Sequence, residues 1–283
     1  MRIVTTKREL KAALAAAVGM QRVLVPTMGA LHAGHAALLR QARELAGHDG
    51  VVVASVFLNP TQFDNPGDLK TYPRTPEEDV NICDECGVDI LFMPDAQEMY
   101  RSDRSVMVEE NSLAGVLCGA SRPGHFAGVC LVVSKLFNLV QPTDAVFGKK
   151  DYQQLAILRR LVRDLDFPIV LHGVDTVREK DGLAISSRNV RLSPEHRAVA
   201  PAIYRSLQEA CDCYASGCSP DAVCGGVRKA LECIPGVRVD YVELADAETL
   251  QPVRDAAQPA VLAVAAWFGD VRLIDNIEMP ILA

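Results

Sequence analysis

The sequence has no excess of positive charge. Its 29 lysines and arginines face 36 acidic residues, for a net charge of −7 and a pI near 5.4. That excludes a general nucleic-acid binder, whose phosphate contacts need a basic face. It leaves room for a small anionic substrate, because a few local cations can build a positive pocket. Long apolar runs are also missing. AALAAAVGM and VLAVAAWF fall far short of the roughly 20 residues that a membrane-crossing helix takes, and the start, MRIVTTKREL, has no apolar signal region. A soluble, cytoplasmic protein with no membrane partner is expected. There is no disulfide framework either. The nine cysteines are odd in number and scattered, and several sit in apolar runs, as Cys130 does in GVCLVVSKLF, so a reduced interior is the simpler reading. No repeat, low-complexity segment or long linker stands out.

What is present is a core. Hydrophobic residues make up 49% of the 283, enough for one large domain or two smaller ones. RVLVPT (22–27) and VVVASVFL (51–58) read as buried strands without polar alternation, the pattern of parallel strands covered on both faces. Between them, HAALLRQARELA carries Leu38, Ala42 and Leu45 at helical spacing, completing a βαβ unit. The alternation continues with a helix at PEEDVNICDECG, a strand at VDILFM, a helix at GVCLVVSKLFNLV and a strand at DAVFG. It ends with a helix at DYQQLAILRRLVRDL and a strand at PIVLHGV. A doubly wound parallel sheet over about residues 1–175 follows. After about residue 190 the character changes. One long helix is expected over 193–217, opened by Ser193 as N-cap, and a second at PDAVCGGVRKALECI. Strands at VRVDYVELAD, PAVLAVAAWF and VRLIDNIEM then complete a small α+β domain.

Four segments carry candidate chemistry. His32-Ala33-Gly34-His35 lies between a strand and a helix, where unpaired N–H groups and the helix dipole suit phosphate. Two imidazoles three residues apart face the same side there, and Gly34 permits close approach. Two histidines beside a turn would leave the same trace, and zinc lacks further ligands nearby. Gly148-Lys149-Lys150-Asp151 lies at the carboxyl end of its strand, where open α/β sheets bind ligands. A lysine there neutralises phosphate, and an aspartate can hold a ribose hydroxyl or a magnesium-bound water. A solvated charged turn would look alike. Ile185-Ser186-Ser187-Arg188-Asn189 offers two hydroxyls and a guanidinium to an anion, or is a polar turn. Asn59-Pro60-Thr61-Gln62 follows the second strand, and Gln62, like Gln154 after Asp151, can both donate to and accept from a substrate. Ser121–Phe126 adds another cation in a loop. Cys83 and Cys86 form a C-x-x-C on a helix without a second pair, which is poor material for zinc. Glu77, Glu78 and Asp79 read as helix N-terminal charges.

Together these segments resemble the pantothenate synthetase family over nearly the whole chain. The resemblance rests on PTMGALHAGH (26–35), SVFLNPTQF (55–63), YPRT (72–75), SRPGHFAGV (121–129), KLFNLVQP (135–142), FGKKDYQQL (147–155), DGLAISSRN (181–189) and VAAWFGDVRLIDN (264–276). Many ordered segments at compatible spacing are far more specific than any one. The resemblance implies a Rossmann-like α/β fold of the HxGH nucleotidyl-transferase type, with residues 1–176 binding ATP and pantoate and a smaller α+β domain, 177–283, acting as a lid. It implies ATP with Mg²⁺, pantoate and β-alanine as small-molecule ligands, a pantoyl-adenylate, AMP and diphosphate as products, and a homodimer serving pantothenate biosynthesis. ATP is expected along Met28, Gly29, Ala30, Leu31, His32, Ala33, Gly34 and His35, at Gly148, Lys149, Lys150 and Asp151, at Val177, and at Ile185, Ser186, Ser187 and Arg188. Pantoate falls to Gln62, Gln154, Asn59 and Thr61, and β-alanine to Gln62. His35, Lys150, Ser186, Ser187 and Arg188, supported by His32, are expected to stabilise the charge of adenyl transfer.

Two positions depart from the family pattern, which often has methionine at Thr61 and glutamate at Lys149. Thr61 makes the pantoate pocket more polar if it points inward, and Lys149 adds charge beside Lys150. The rival readings are a nucleotidyltransferase that leaves the nucleotide on its product, which need not have the NPTQF and YQQL segments, and a nucleotide-binding module without catalysis. A tRNA synthetase would need an RNA-binding appendage that is not evident here.

Overall fold

The computed structural model describes residues 1–64, 66–253 and 258–281. The chain divides into two compact units. The first comprises Met1–Asn111, Arg122–Lys149 and Ile157–Asp175, and the second comprises Ser112–Ser121, Lys150–Ala156 and Thr176–Ala283. In chain order the elements begin with β1 (Arg2–Val4), α1 (Lys7–Leu14), β2 (Arg22–Thr27), α2 (Ala33–Ala46) and β3 (Val51–Val56). Next come α3 (Pro66–Thr71), α4 (Pro76–Glu85), β4 (Ile90–Phe92), α5 (Ala96–Met99), α6 (Leu117–Ser121) and α7 (His125–Val140). Then follow β5 (Asp144–Gly148), α8 (Tyr152–Asp164), β6 (Val170–Val174), α9 (Pro194–Val199), α10 (Ala202–Ala215) and α11 (Pro220–Glu232). Three strands close the chain: β7 (Val237–Asp246), β8 (Ala260–Phe268) and β9 (Val271–Met279).

The first unit is built on a parallel sheet of six strands in the order β1-β4-β3-β2-β5-β6. Val23, Leu24 and Val25 of β2 and Val52, Val53 and Ala54 of β3 are fully buried, as their uninterrupted apolar runs require. The chain winds outward from β2 in both directions, so the crevice of this doubly wound sheet opens at the carboxyl ends of β2 and β5. The Met28–Leu31 loop and Lys149 sit at those ends. Helix α2 packs on β2, β3 and β5. Cys83 and Cys86 of the C-x-x-C belong to the same apolar core as Leu39 and Val52, and burial pushes the Cys83 thiol up to about 12, so this pair fills space.

The second unit carries the antiparallel sheet β7-β8-β9. Helices α10 and α11 pack against it, with Leu207, Tyr214, Leu231, Leu262 and Phe268 among the buried side chains. Two expectations are corrected here. The long helix over 193–217 is two helices, α9 and α10. Pro201, at the N-cap of α10, has no N–H to continue the ladder from α9. The nine cysteines are not all thiols. Cys213 and Cys218 form a disulfide, because the turn after α10 brings their Cα atoms to 5.4 Å, within bonding range.

At the amino end of β5, Asp144 accepts from His172 Nε2 at 2.7 Å, Thr143 Oγ1 at 2.8 Å and Gln21 Nε2 at 3.0 Å. Burial raises the Asp144 carboxyl, but these bonds outweigh it and hold the group below its ordinary value. A depressed folded value means that the stabilisation is complete above the ordinary carboxylate pKa of 3.8 and is lost as pH falls through the lower value. Asp144→Asn is therefore expected to cost about 1–2 kcal/mol at neutral pH. The gap in melting temperature from the parent should narrow once pH falls below the ordinary value of 3.8 and close only below the lower folded value, as thermal denaturation across pH will show.

Candidate active site

The loop after β2 is held by a buried carboxylate. Asp79 of α4 is 2% exposed, and its oxygens accept from Ala30 N at 3.1 Å, Leu31 N at 2.7 Å and Thr75 Oγ1 at 3.1 Å. Gly29 has φ +85, and a Cβ there would lie 3.0 Å from the Asp79 carboxylate. Ala30 follows at φ +51, an unfavourable left-handed conformation for a residue with a side chain, and its N–H is one that Asp79 receives. The sequence reading of Asp79 as a helix-terminal charge is thus incomplete. Its carboxylate fixes the path by which the chain enters α2.

That path sets the two imidazoles. His32 is the N-cap of α2, and its Nδ1 accepts from Gly34 N at 3.2 Å. His35 Nδ1 accepts from His32 N at 3.3 Å. Each Nδ1 is an acceptor, so each ring carries its proton on Nε2. The ring centroids are 4.0 Å apart, at the positive end of a 14-residue helix. What crowds Gly34 is the His32 ring, whose atoms lie 3.0 Å from an added Cβ.

The turn after β3 is tied to α7. Asn59 is 1% exposed, and its Nδ2 donates to Gln62 Oε1 at 2.9 Å and to Gly128 O at 3.1 Å. Its Oδ1 accepts from Tyr100 OH at 2.8 Å and Thr61 Oγ1 at 2.9 Å. Gln62 Nε2 lies 3.0 Å from Met28 Sδ, which joins this turn to the loop after β2. His125 Nδ1 donates to Gln62 O at 2.7 Å, and Arg122 donates to the same oxygen at 3.3 Å while pairing with Asp64 at 3.2 Å. The SRPGHF segment thus positions Gln62 and does not add a loose cation. The Thr61 hydroxyl is engaged with Asn59 and lies 3.4 Å from Tyr100 OH, so this departure braces the turn.

Gly128 has to be glycine. A Cβ would stand 2.3 Å from Thr61 O and 2.7 Å from Gln62 N. Gly128→Ala is expected to push the NPTQ turn away and to cost about 1–3 kcal/mol of stability, measured by thermal denaturation.

A cleft of about 470 Å³ opens on the back of the β2 loop. Met28, Gly29, Arg74 and Asp79 are in its walls, but neither imidazole nor Gln62 is.

Gly148 ends β5, and Lys149, still in the first unit, pairs with the exposed Asp175 at 2.9 Å. Lys150, Asp151 and Gln154 belong to the second unit. Lys150 Nζ lies 4.0 Å from Asp151 Oδ1. Of the two glutamines in YQQL, Gln153 is the structural one, donating to Leu113 O at 2.8 Å and Val116 O at 2.7 Å, while Gln154 is half-buried. Val177 and Ile185 face each other across a short hairpin, with Ile185 N donating to Val177 O at 3.0 Å. The hairpin delivers Ser186, Ser187 and Arg188, all half-buried. Ser186 Oγ accepts from Arg188 N at 3.3 Å, and Asn189 Nδ2 donates to Ala184 O at 3.0 Å. The candidate residues therefore divide by unit: His32, His35, Asn59, Thr61, Gln62, Gly148 and Lys149 lie in the first, and Lys150, Asp151, Gln154, Val177 and Ile185–Arg188 in the second. Among the described residues, no group of three or more His, Cys, Asp or Glu side chains is placed to hold a metal ion.

A model of the pantoate–β-alanine ligase family matches residues 2–278. The chain is 58% identical to a pantothenate synthetase of Akkermansia muciniphila over 281 residues, covering 99% of this chain and 100% of that one. It is 48% identical to the pantothenate synthetase of Moorella thermoacetica over 267 residues, covering 93% and 92%. The crystal structure of pantothenate synthetase from Thermus thermophilus superposes with a TM-score of 0.92 at 46% identity, covering 99% of this chain and 100% of that one. A pantoate–β-alanine ligase from Francisella tularensis, crystallised with β-γ ATP and β-alanine, gives 0.80 at 30% identity, covering 98% and 97%.

Proposed function

The chain belongs to the pantoate–β-alanine ligase family, and on that premise we propose that it activates pantoate with ATP and makes pantothenate through a pantoyl-adenylate. The observation that carries the proposal is the pair of imidazoles at the start of α2, each with Nδ1 engaged and its proton on Nε2. A helix N-terminus bearing two N–H donors suits a triphosphate.

A carboxylate is a poor electrophile, so it must first be activated. A pantoate carboxylate oxygen attacks the α-phosphorus of ATP in line. The bond to the bridging oxygen breaks, and diphosphate leaves with its electron pair. The protein's part is positioning and charge stabilisation. His35 Nε2, Lys150 Nζ, the Ser186 and Ser187 hydroxyls and the Arg188 guanidinium stabilise charge on the phosphoryl oxygens, and His32 supports the nucleotide phosphates. Met28–Leu31, Ala33 and Gly34 cradle ATP with Gly148–Asp151, Val177 and Ile185. Gln62 and Gln154 hold pantoate, with Asn59 and Thr61 serving it by fixing Gln62. The unprotonated amine of β-alanine, placed beside Gln62, then attacks the acyl carbon. The amide forms, AMP leaves with the bonding electrons, and the amine proton passes to solvent. Residues 177–283 act as the lid that keeps water from the adenylate.

Magnesium enters with ATP. Its preferred ligands are phosphate oxygens and water. We place the enzyme in the cytoplasm as a homodimer. Seven of the nine cysteines are free, against the one Cys213–Cys218 pair, and that free majority supports a reducing compartment. None of the described helices is long and apolar enough to cross a membrane. The exposed Val106 and Met107 offer apolar surface for self-association.

Incubation of the purified protein with ATP, Mg²⁺ and pantoate, with and without β-alanine, tests the reading. Diphosphate release should need pantoate, and free AMP with an amide product should need both. A nucleotidylated product that survives β-alanine would favour a simple nucleotidyltransferase, and ATP binding without turnover a binding module.

A further inference from the structure

Two neighbouring residues of β9 are buried and polar in a sheet whose covered face is apolar: Asp275 is 3% exposed and Asn276 is 8% exposed. Side chains of successive strand residues point to opposite faces. Asp275 shares its face with the core residues Leu273 and Val271, and Asn276 takes the other. One dipeptide thus reaches two places.

On its own face, Asp275 clamps Arg178 with both oxygens, at 2.6 Å to one guanidinium nitrogen and 3.0 Å to the other. Arg178 opens the hairpin that leads to Ser186. Its guanidinium donates to Gly182 O at the hairpin turn at 3.2 Å and lies 3.5 Å from the centre of the Tyr204 ring. Arg178 also pairs across the hairpin with Ala184, two residues before Ser186. A bidentate, stacked guanidinium of this kind is rigid. On the other face, Asn276 Nδ2 donates to Lys150 O at 2.9 Å. Asp275 Oδ1 also accepts from Asn276 N at 2.8 Å, which couples the two.

We infer that Asp275 and Asn276 are positioning residues: a single stretch of β9 sets the Lys150 turn and the Ser186–Arg188 hairpin at a fixed spacing, so that the cationic groups of the two turns bear together on one set of phosphates. The inference rests on the reading above, in which Lys150 and Arg188 act on ATP. Its consequence is specific. Displacing either turn by about 1 Å should cost about 10²-fold in adenylation, with little effect on the amine's attack on an adenylate already made.

The test compares Asn276→Leu, which keeps the volume and removes the donor, with Asp275→Asn, which keeps the shape and removes the charge. Lys150→Ala and Arg188→Ala are run beside them. Each protein is assayed for pantoate-dependent diphosphate release, for amide formation from synthetic pantoyl-adenylate, and for melting temperature. The expected result is a loss of about tenfold to a hundredfold in kcat for adenylation in both β9 variants, amide formation within about threefold of the parent, and an Asn276→Leu protein that melts close to it. Adenylation retained in the β9 variants but lost in Lys150→Ala and Arg188→Ala would overturn the inference alone. Equal losses in both half-reactions, tracking a lower melting temperature, would also overturn it by making the role one of stability. Adenylation retained in Lys150→Ala and Arg188→Ala would overturn the reading of the site on which it rests.

Discussion

His35→Ala is expected to lower pantoate-dependent diphosphate release by about 10²–10³-fold, the usual effect of removing one donor aimed at developing charge, or about 3–4 kcal/mol. The geometry makes the effect separable from folding. His35 lies in the first turn of α2 and is half-buried, and its packing contribution is small beside that of Leu39 or Ala42, both fully buried. Alanine forfeits the bond from His32 N to His35 Nδ1. That is one member of a capping pair, worth about 1 kcal/mol. The melting temperature should therefore fall by only a few degrees. The loss should also be confined to one half of the reaction. Given synthetic pantoyl-adenylate, the variant should form the amide nearly as fast as the parent, because the amine attacks the acyl carbon and no new bond forms at the α-phosphorus whose oxygens His35 serves. Normal diphosphate release by a folded variant would remove His35 from the mechanism.

Asp79→Ala should act on the same step from behind. Removing the carboxylate leaves the N–H groups of Ala30 and Leu31 without the acceptor seen at 3.1 and 2.7 Å. A buried donor so orphaned costs about 1–3 kcal/mol. Ala30, at φ +51, then has no reason to stay in a conformation that costs about 1–2 kcal/mol. The loop should relax and carry His32 and His35 off their positions. We expect kcat/KM for ATP to fall about a hundredfold, with a stability loss of about 2–4 kcal/mol. Asp79→Asn separates the two effects. It keeps the volume and one acceptor but turns an NH₂ group toward a backbone N–H, so it should restore much of the stability while kcat/KM for ATP stays low. A fully active Asp79→Asn would show that the loop holds its shape unaided.

The parts of this molecule that were legible in the sequence are those whose signal is local. β2 and β3 declare themselves as valine-rich apolar runs, and the bounds expected for β7 and β9 are those found, because Gly236, the Gly269-Asp270 turn and the apolar pattern are local signals. β1 did not stand out. Three residues give no period, and its pairing with Ile90–Phe92 is visible only once the chain has folded. The helix expected over 193–217 ran past Pro201 because the flanking composition is helical on both sides, and the break depends on one missing N–H. The site divides in the same way. His32, Gly34 and His35 could be read from spacing and the strand-to-helix junction. Asp79 could not, because as one of three acids opening a helix it looks solvated, and only the folded chain places it beneath the loop from β2. Gln153 and Gln154 are indistinguishable in the string YQQL, and the structural role of Gln153 rests on carbonyls some 40 residues away. Asp275 and Asn276 were visible as part of a familiar segment, but their partners at Arg178 and Lys150 were not.

The central claim is that pantoate is activated at the α-phosphorus of ATP, which isotope transfer tests directly. Pantoate labelled with oxygen-18 in its carboxylate is turned over with unlabelled ATP and β-alanine, and the AMP is weighed by mass spectrometry. If the carboxylate oxygen attacks that phosphorus and remains with it when the amide forms, each AMP carries one heavy oxygen. AMP that forms in step with the amide yet carries no label would contradict the account.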